Sequence, residues 1–322
     1  MRAAAIDCGT NSIRLLVADA DPATGELTDL ERRMEIVRLG QGVDRTGRLA
    51  PEALERTFDA CRAYAAVLRE YGVTPGRLRF VATSASRDAE NRDEFTAGVK
   101  DILGVVPEVI SGEEEAGLSY TGATRELAGR LDVTAPFLVT DIGGGSTEFV
   151  LGDGYVRASR SVDIGCVRLT ERHLADGAAR SGPVPAERIE AMTADIDAAL
   201  DEAERDVPLA EAGTLVGLAG SVTTVAALAL GLREYDSAAI HHARVSRERV
   251  GEITRWLLAA THEQRAAVPV IHPGRVDVIG AGALVLWRIM ERTGAAEVLV
   301  SEKDILDGIV WSVVPAAPQE SS

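Results

Sequence analysis

A stretch near the middle of the chain, Asp141-Ile-Gly-Gly-Gly-Ser-Thr-Glu148, combines two carboxylates, hydroxyl groups and three consecutive glycines. Apolar residues precede and follow it, which predicts a buried strand, a tight turn and a second strand. Glycine permits backbone conformations in which several main-chain N–H groups face one anion. A carboxylate beside such an anion site indicates a divalent cation between the two charges, and Mg²⁺ prefers carboxylate, phosphate and water oxygens. The stretch alone fits a glycine-rich hairpin turn capped by Asp141 equally well.

The same arrangement occurs a second time near the N-terminus. The apolar segment 3–6 leads to Asp7, a glycine-containing turn ends at Ser12, and another apolar run follows. Two similar units in one chain predict a duplicated α/β domain, with two phosphate loops that face each other across a central cleft. The residues predicted to bind phosphate in these two turns are Gly9, Thr10, Asn11, Ser12, Gly143, Gly144, Gly145, Ser146 and Thr147.

Composition limits the kinds of protein to which the chain can belong. It has 322 residues, of which 46% are hydrophobic and 26% are charged, as expected for a soluble globular protein of two domains. No apolar run is long enough to span a membrane, and Asp7 interrupts any signal-peptide core. The three cysteines are widely spaced, which is typical of the reducing cytoplasm. The net charge of −16 argues against binding to duplex nucleic acid or to anionic membranes.

Arginine supplies nearly all of the positive charge, because the chain has only two lysines. The forked donors of a guanidinium match phosphate oxygens well. Arg87 follows the predicted strand 79–82 and the polar segment 83–86. It is therefore expected beyond the carboxyl-terminal end of that strand, where α/β proteins bind their ligands. We therefore predict that Arg87 binds phosphate. A surface salt bridge with Asp88 or Glu90 is the competing interpretation.

Three consecutive glutamates, Glu113, Glu114 and Glu115, open a predicted helix directly after another strand. Acidic residues are favoured in a first helical turn because they complement the helix dipole. That preference does not explain why the run lies at a strand end, where a site is expected. A carboxylate in this position could act as a general base that deprotonates water.

A further strand-to-helix junction contains Gly220 and Ser221. It places a helix N-terminus where an anion or a ribose phosphate could bind, although close packing of strand and helix through Gly220 explains the glycine equally well. Two adjacent histidines, His241 and His242, follow this helix. Neighbouring side chains point in different directions on a helix or a strand, so we do not expect these two to share a metal.

The polar segment 125–134 is predicted to be helical and to contain the domain boundary. The first domain is assigned to residues 1–125 and the second to residues 126–314. The last predicted helix, 304–314, is a candidate for packing back on the first domain. Residues 315–322 are expected to form a frayed tail.

Taken together, the motifs resemble those of the exopolyphosphatase / guanosine pentaphosphate phosphatase (Ppx/GppA) family. Each motif is weak alone, whereas the ordered set, which covers almost the whole chain, is specific. The resemblance implies a duplicated actin–hexokinase–Hsp70-like fold with two ribonuclease H-like domains. The matching segments are Asp7–Ser12, Thr83–Arg87, Ile110–Ala116, Asp141–Glu148, Gly165–Leu169, Gly217–Ser221 and Arg275–Ile279.

The resemblance also implies roles for individual residues. Glu115 corresponds to the catalytic base of the family, with Glu114 as its neighbour. The two glycine turns would hold phosphate, with the assistance of Arg87. The residues implied to hold Mg²⁺ or another divalent cation are Asp141, Glu148 and Asp7.

The predicted reaction is hydrolysis of the terminal phosphate of inorganic polyphosphate, by in-line attack of a water that Glu115 activates with the help of Mg²⁺. Hydrolysis of guanosine pentaphosphate would use the same residues and stays open. A catalytically weak regulator that binds polyphosphate or guanosine tetraphosphate stays open as well, as does a small-molecule kinase. Longer family members carry extra C-terminal helical domains that this chain lacks, so processive action on very long polymers is not expected. Such folds often dimerise, and a homodimer also stays open.

Overall fold

The two predicted repeats fold into two separate sheets. The computed structural model describes residues 1–127, 129–174 and 182–315. Strands β1 to β5 form one mixed sheet in the order β3-β2-β1-β4-β5, and strands β6 to β11 form a second in the order β8-β7-β6-β9-β11-β10. These strands are β1 (Arg2–Cys8), β2 (Ser12–Asp21), β3 (Glu26–Ile36), β4 (Leu78–Ala82), β5 (Glu108–Val109), β6 (Phe137–Ile142), β7 (Thr147–Gly152), β8 (Val156–Val162), β9 (Thr214–Leu218), β10 (Arg244–Ser246) and β11 (Glu297–Val300).

The two sheets share one topology. In the first sheet, β1 pairs antiparallel with β2 and parallel with β4, and β2 pairs antiparallel with β3. In the second sheet, β6 pairs antiparallel with β7 and parallel with β9, and β7 pairs antiparallel with β8. This agreement in strand order and direction confirms the predicted α/β class and the predicted duplication.

Helices cover the sheets. They are α1 (Val43–Thr46), α2 (Pro51–Glu70), α3 (Ser84–Asp88), α4 (Arg92–Leu103), α5 (Gly112–Thr124), α6 (Cys166–His173), α7 (Ala186–Glu204), α8 (Ala219–Ala229), α9 (Ser237–Ile240), α10 (Arg247–Ala259), α11 (His262–Ala266), α12 (Ile279–Thr293) and α13 (Ile305–Val313), with 3₁₀ turns at Pro75–Arg77, Arg125–Leu127, Leu209–Glu211 and Pro273–Arg275. Helix α2 begins at Pro51, whose fixed φ suits a first helical turn. Among the described helices, none is both long and apolar enough to cross a membrane.

Among the described residues, the first compact unit consists of residues 1–122 and 305–315. One face of its sheet packs against α2 and α4, where the rings of Phe80 and Phe95 meet edge to face with centroids 6.1 Å apart. The other face packs against α13 through Ile309 and Val310. Because both faces are covered, β1 is almost entirely apolar rather than alternating. Each fully buried aliphatic side chain contributes about 1.5–3 kcal/mol to this packing.

The second compact unit is Ala123–Asp304. Every residue of β6 and β7 is buried, and α7, α8, α10 and α12 supply the apolar side chains around them, among which Ile196, Leu257 and Leu286 are no more than 1% exposed. The boundary predicted after residue 125 lies three residues beyond the observed division after Gly122 (125 − 122).

Two predictions about the linking segments can be compared with the structure. The helix predicted over 125–134 is wrong, since in the described residues of that segment only the 3₁₀ turn Arg125–Leu127 forms. Gly129 has a left-handed φ of 82°, which a continuing helix cannot accept. Of the predicted tail, residues 316–322 lie outside the described residues.

Candidate active site

The glycine-rich stretch in the second unit forms the predicted strand, turn and strand. Asp141 and Ile142 end β6, Thr147 begins β7, and the amide of Gly143 donates to the carbonyl of Ser146 at 3.0 Å to close the turn. In the described structure, the amides of Gly144, Gly145 and Ser146 donate to no backbone carbonyl. Three neighbouring free amides are the arrangement that binds an anion. The hydroxyl of Thr147 has another use, since it donates to the carbonyl of Ile164 at 2.7 Å.

Asp141 and Glu148 lie directly opposite each other on β6 and β7. Paired residues of an antiparallel ladder project from the same face of the sheet, with Cβ atoms about 5 Å apart. The two residues are only 8% and 1% exposed, respectively. Ser161 donates a hydrogen bond of 2.8 Å to Glu148 Oε1. Two opposed, buried carboxylates repel each other, and a bound divalent cation removes this cost, so these residues fit a Mg²⁺ site.

The first glycine turn closes in the same way, because the amide of Gly9 donates to the carbonyl of Ser12 at 3.0 Å. Thr10 is 8% exposed, and its Oγ1 has no hydrogen-bond partner in the described structure. An unpartnered hydroxyl in this turn is available to a phosphate oxygen. Asn11 contributes its carbonyl to the neighbouring segment, from which it accepts two amides.

The two units differ at the carboxylate that precedes each turn. Asp7 lies opposite Arg14, whose Nη2 and Nε donate to Asp7 Oδ2 at 2.7 and 3.0 Å. The corresponding pair in the second unit is Asp141 and Glu148. At this position of the ladder the first unit pairs its aspartate with an arginine, whereas the second pairs it with a glutamate. Asp7, predicted as a third metal ligand, has its charge balanced by Arg14 in this structure.

The structure distinguishes the neighbouring glutamates of α5. Glu115 is 8% exposed, and its Oε2 accepts a hydrogen bond of 2.8 Å from Arg87 Nη1. The same nitrogen also donates to the carbonyl of Ile110 at 3.0 Å, which fixes the guanidinium. Glu114 is exposed and pairs with Arg79. The hydrogen bond from Arg87 therefore holds the carboxylate of Glu115 in a defined orientation.

Arg87 was predicted to bind phosphate, and the carboxylate that it contacts is Glu115 rather than Asp88 or Glu90. Its side chain is 23% exposed. A guanidinium has five N–H donors, and the contacts to Glu115 and Ile110 both use Nη1. The remaining donors leave phosphate binding compatible with its observed position.

Gly220 and Ser221 lie in the first turn of α8, which begins one residue after β9 ends. The strands β9 and β6 are parallel, and Leu218 pairs with Asp141. The N-terminus of α8 and the glycine turn therefore both lie at the carboxyl-terminal ends of these strands. A Cβ at position 220 would overlap the guanidinium of Arg275. Gly220 therefore has a packing role, and it brings an arginine to the helix N-terminus. Arg275 was not among the predicted site residues, and its place in the matching segment Arg275–Ile279 was the available signal.

Glu126, His241 and His242 form a second polar cluster, with their potential ligand atoms within 4.8 Å of one another. The prediction that the two histidine side chains point in different directions is wrong. His242 has a left-handed φ of 63°, so the rings stack with centroids 3.7 Å apart.

The hydrogen bonds of this cluster define the tautomers. A guanidinium can only donate, so Arg130, 2.6 Å from His242 Nδ1, leaves the proton of that ring on Nε2. The amide of Glu302 donates to His241 Nδ1 at 3.2 Å, and His241 Nε2 donates to Glu126 at 3.0 Å. Both Nε2 atoms therefore carry hydrogen, and metal ligation through them would need the opposite tautomers.

The cysteines are buried and free. Burial raises the pKa of the Cys8 thiol well above its usual range and raises the pKa of Cys61 to about 12. Cys166 also has its pKa raised by burial. Thiols of this kind are poor nucleophiles, so Cys8 packs as a small apolar residue beside the first turn.

Comparisons with known proteins identify the family. A model of the Ppx/GppA phosphatase family matches residues 16–317. Exopolyphosphatase 2 of Mycobacterium tuberculosis is 50% identical over 323 residues, which cover 97% of this chain and 98% of that protein. The crystal structure of an exopolyphosphatase-like protein is 44% identical, with a TM-score of 0.89, over 97% of this chain and 98% of that one. A family member from Aquifex aeolicus is 31% identical, with a TM-score of 0.77, over 97% of each chain.

The residues matched by the family model include Glu115 and the stretch Asp141–Glu148. The matches confirm the resemblance that the motifs indicated, and with it a hydrolase that acts on phosphoanhydride bonds. The chain belongs to the Ppx/GppA phosphatase family.

Proposed function

We propose that the protein is an exopolyphosphatase, which hydrolyses the terminal phosphoanhydride bond of inorganic polyphosphate. The observation that carries this proposal is the buried Glu115, held by Arg87 in the unit that contains the first glycine turn. The 50% identity to an exopolyphosphatase over nearly the full length of both chains supports the choice of substrate. The free, buried cysteines support a reducing, cytoplasmic location.

Each group of residues has its own role in the proposed hydrolysis. In the first unit, the hydroxyl of Thr10 and amides of the glycine turn bind phosphate oxygens, and in the second unit the amides of Gly144, Gly145 and Ser146 do so. Glu115 accepts a proton from the attacking water, which makes the oxygen nucleophilic. Asp141 and Glu148 would hold Mg²⁺, which neutralises charge on the transferring phosphate. Phosphoryl transfer depends mainly on this positioning and charge neutralisation.

The substitution Glu115→Gln tests the role of the base. The amide keeps the shape of the side chain and can still contact Arg87, but it cannot accept the proton. We expect kcat for phosphate release to fall about 10²–10⁴-fold, while KM changes little. Steady-state phosphate release from polyphosphate measures both constants.

Glu113→Gln is the matched control, because it changes a glutamate in the same helical turn that is not buried. Its kcat is expected to stay near that of the wild type. Unchanged turnover in Glu115→Gln would show that another group deprotonates the water.

A further inference from the structure

The carbonyl groups of the second glycine turn accept hydrogen bonds from the segment that follows β8. The amide of Cys166 donates to the carbonyl of Gly143 at 3.0 Å. The amides of Val167 and Arg168 both donate to the carbonyl of Gly144, at 2.9 and 3.1 Å. These donors are the first amides of α6, which have no partner within their own helix.

The side chain of Arg168 completes this pattern. Its Nε donates to the carbonyl of Gly145 at 2.8 Å, and the side chain is only 12% exposed. One short segment therefore donates to the carbonyls of all three glycines. In a trans peptide unit the C=O and the following N–H point in opposite directions. Holding these three carbonyls therefore turns the amides of Gly144, Gly145 and Ser146 to the other side, where an anion can bind.

Gly165 permits this close approach. A Cβ at that position would overlap the carbonyl of Gly144 and lie 2.7 Å from the amide nitrogen of Gly145. Its backbone is extended, with φ of −158°, so the need for glycine comes from space and not from strain. The start of α6 and the glycine turn are therefore packed backbone to backbone.

In the first unit, too, the segment after the third strand donates hydrogen bonds to carbonyls of the glycine turn. After β3, the amides of Val37 and Arg38 donate to the carbonyl of Asn11 at 3.1 and 2.8 Å. The amide of Gly40 donates to the carbonyl of Thr10 at 2.8 Å. A Cβ at Gly40 would overlap the methyl group of Thr10. Arg38 has a left-handed φ of 50°, a conformation that costs energy and is often retained at functional sites.

We infer that Val37–Gly40 and Gly165–Arg168 are positioning segments, which we call the carbonyl clamps, and that they orient the amides of the two turns toward phosphate. Arg168 is the member of the second clamp that acts through its side chain. The repeat thus extends beyond the strand, turn and strand to the segment after the third strand. The inference rests on the proposed function, because it assigns these segments to phosphate binding at that site.

Arg168→Ala tests the second clamp. Loss of the hydrogen bond frees the carbonyl of Gly145, and the peptide between Gly145 and Ser146 can turn away from the phosphate. We expect KM for polyphosphate to rise about tenfold, the equivalent of one good hydrogen bond, with a smaller change in kcat. Arg168→Lys keeps the charge and one donor, and we expect it to recover part of the affinity.

Arg172→Ala is the matched control, since Arg172 lies one turn further along α6 and pairs with Asp195 at the surface. A purely structural role for Arg168 predicts lower thermal stability with an unchanged KM and no difference between Arg168→Ala and Arg168→Lys. That result would overturn the inference.

A second readout needs no hydrolysis. Tripolyphosphate raises the melting temperature of a protein that binds it, and Arg168→Ala should reduce this rise relative to Arg172→Ala. If the wild type releases no phosphate but shows the rise, and Arg168→Ala loses it, the proposed activity fails and the clamp stands. If the wild type is active and the rise is the same in both variants, the clamp fails and the activity stands.

Gly40→Ala extends the test to the first clamp, and it applies equally if Arg168→Ala does not fold. We expect the added methyl group to displace Thr10 and to raise KM about tenfold or more, whereas Gly76→Ala, which meets no atom within 4 Å, should leave KM unchanged. An unchanged KM in folded Gly40→Ala would overturn the inference for the first unit.

Discussion

At the scale of single residues, surroundings separate carboxylates that look alike in the sequence. Glu114 and Glu115 are adjacent, yet one is exposed beside Arg79 and the other is buried beside Arg87. Asp7 and Asp141 occupy equivalent strand ends, yet one faces an arginine and the other a glutamate. These differences favour Glu115 as the base and the second unit as the place of the metal site.

Glu148→Gln tests the metal site through stability. It removes one of two opposed carboxylates, so in EDTA we expect the variant to be more stable than the wild type, by about 1 kcal/mol. In excess Mg²⁺ the order should reverse, because an ion that binds only the folded state stabilises it. Thermal unfolding of both proteins in the two buffers measures the effect.

Glu187→Gln, at an exposed position in α7, serves as the control and should behave as the wild type in both buffers. An equal gain of stability from Mg²⁺ in wild type and Glu148→Gln would place the cation elsewhere.

At the scale of secondary structure, close helix packing in the first unit depends on one glycine. A Cβ at Gly308 in α13 would overlap the backbone carbonyl of Leu118 in α5. Because backbone cannot move aside as a side chain can, we expect Gly308→Ala to destabilise the protein by about 1–3 kcal/mol. Urea unfolding measures the change.

Gly117 provides the matched comparison on the same helix pair, since a Cβ there meets no atom within 4 Å. Alanine favours a helix interior over glycine by about 1 kcal/mol, so Gly117→Ala should be neutral or stabilising. Equal effects of the two substitutions would contradict the packing described for α5 and α13.

The cluster of Glu126, His241 and His242 predicts that the stability of the protein depends on pH. Burial, then the charges of His241 and Arg130, lower the pKa of His242 to about 4, against the smaller opposing effects of Glu126 and Asp132. Between about pH 6.5 and pH 4 the unfolded chain binds a proton at His242 that the folded protein does not. The free energy of unfolding therefore falls as the pH is lowered through this window.

His242→Asn should remove this contribution. Urea unfolding at a series of pH values should give a shallower loss of stability than in the wild type, by less than the about 1.4 kcal/mol per pH unit of one full proton. His262→Asn, at an exposed position, is the control. A parallel pH profile for wild type and His242→Asn would show that the ring titrates normally. The hydrogen bond to His241 lowers the pKa of Glu126. The contribution of Glu126 to the free energy of unfolding is therefore lost only at the acidic end of the series.

Much of the fold and part of the site could be predicted from the sequence. Local patterns were sufficient for both glycine turns, for the strands beside them and for the duplication, because each depends on neighbouring residues. The roles of Arg168 and Arg275 were not found, since each depends on a contact with glycines from another element. The stacking of His241 on His242 was missed because it follows from one left-handed residue, which the sequence does not mark.

At the scale of the whole molecule, duplication produced two similar units with different tasks. The first unit contains the proposed base and a turn whose carboxylate is balanced internally, and the second contains the pair of carboxylates suited to a cation. The acidic chain, with a net charge of −16, repels polyanions at long range. Phosphate binding therefore depends on local groups, namely oriented amides, arginines and a bound cation.

The most direct test of the proposed function is phosphate release in the presence of Mg²⁺ from short polyphosphate, long polyphosphate and guanosine pentaphosphate, measured side by side. We predict release from polyphosphate, with a higher kcat/KM for the short chains than for the long ones. Hydrolysis of guanosine pentaphosphate with no release from either polyphosphate would contradict the proposed substrate. Binding of polyphosphate without phosphate release from any of the three substrates would contradict the proposal that the protein is an enzyme.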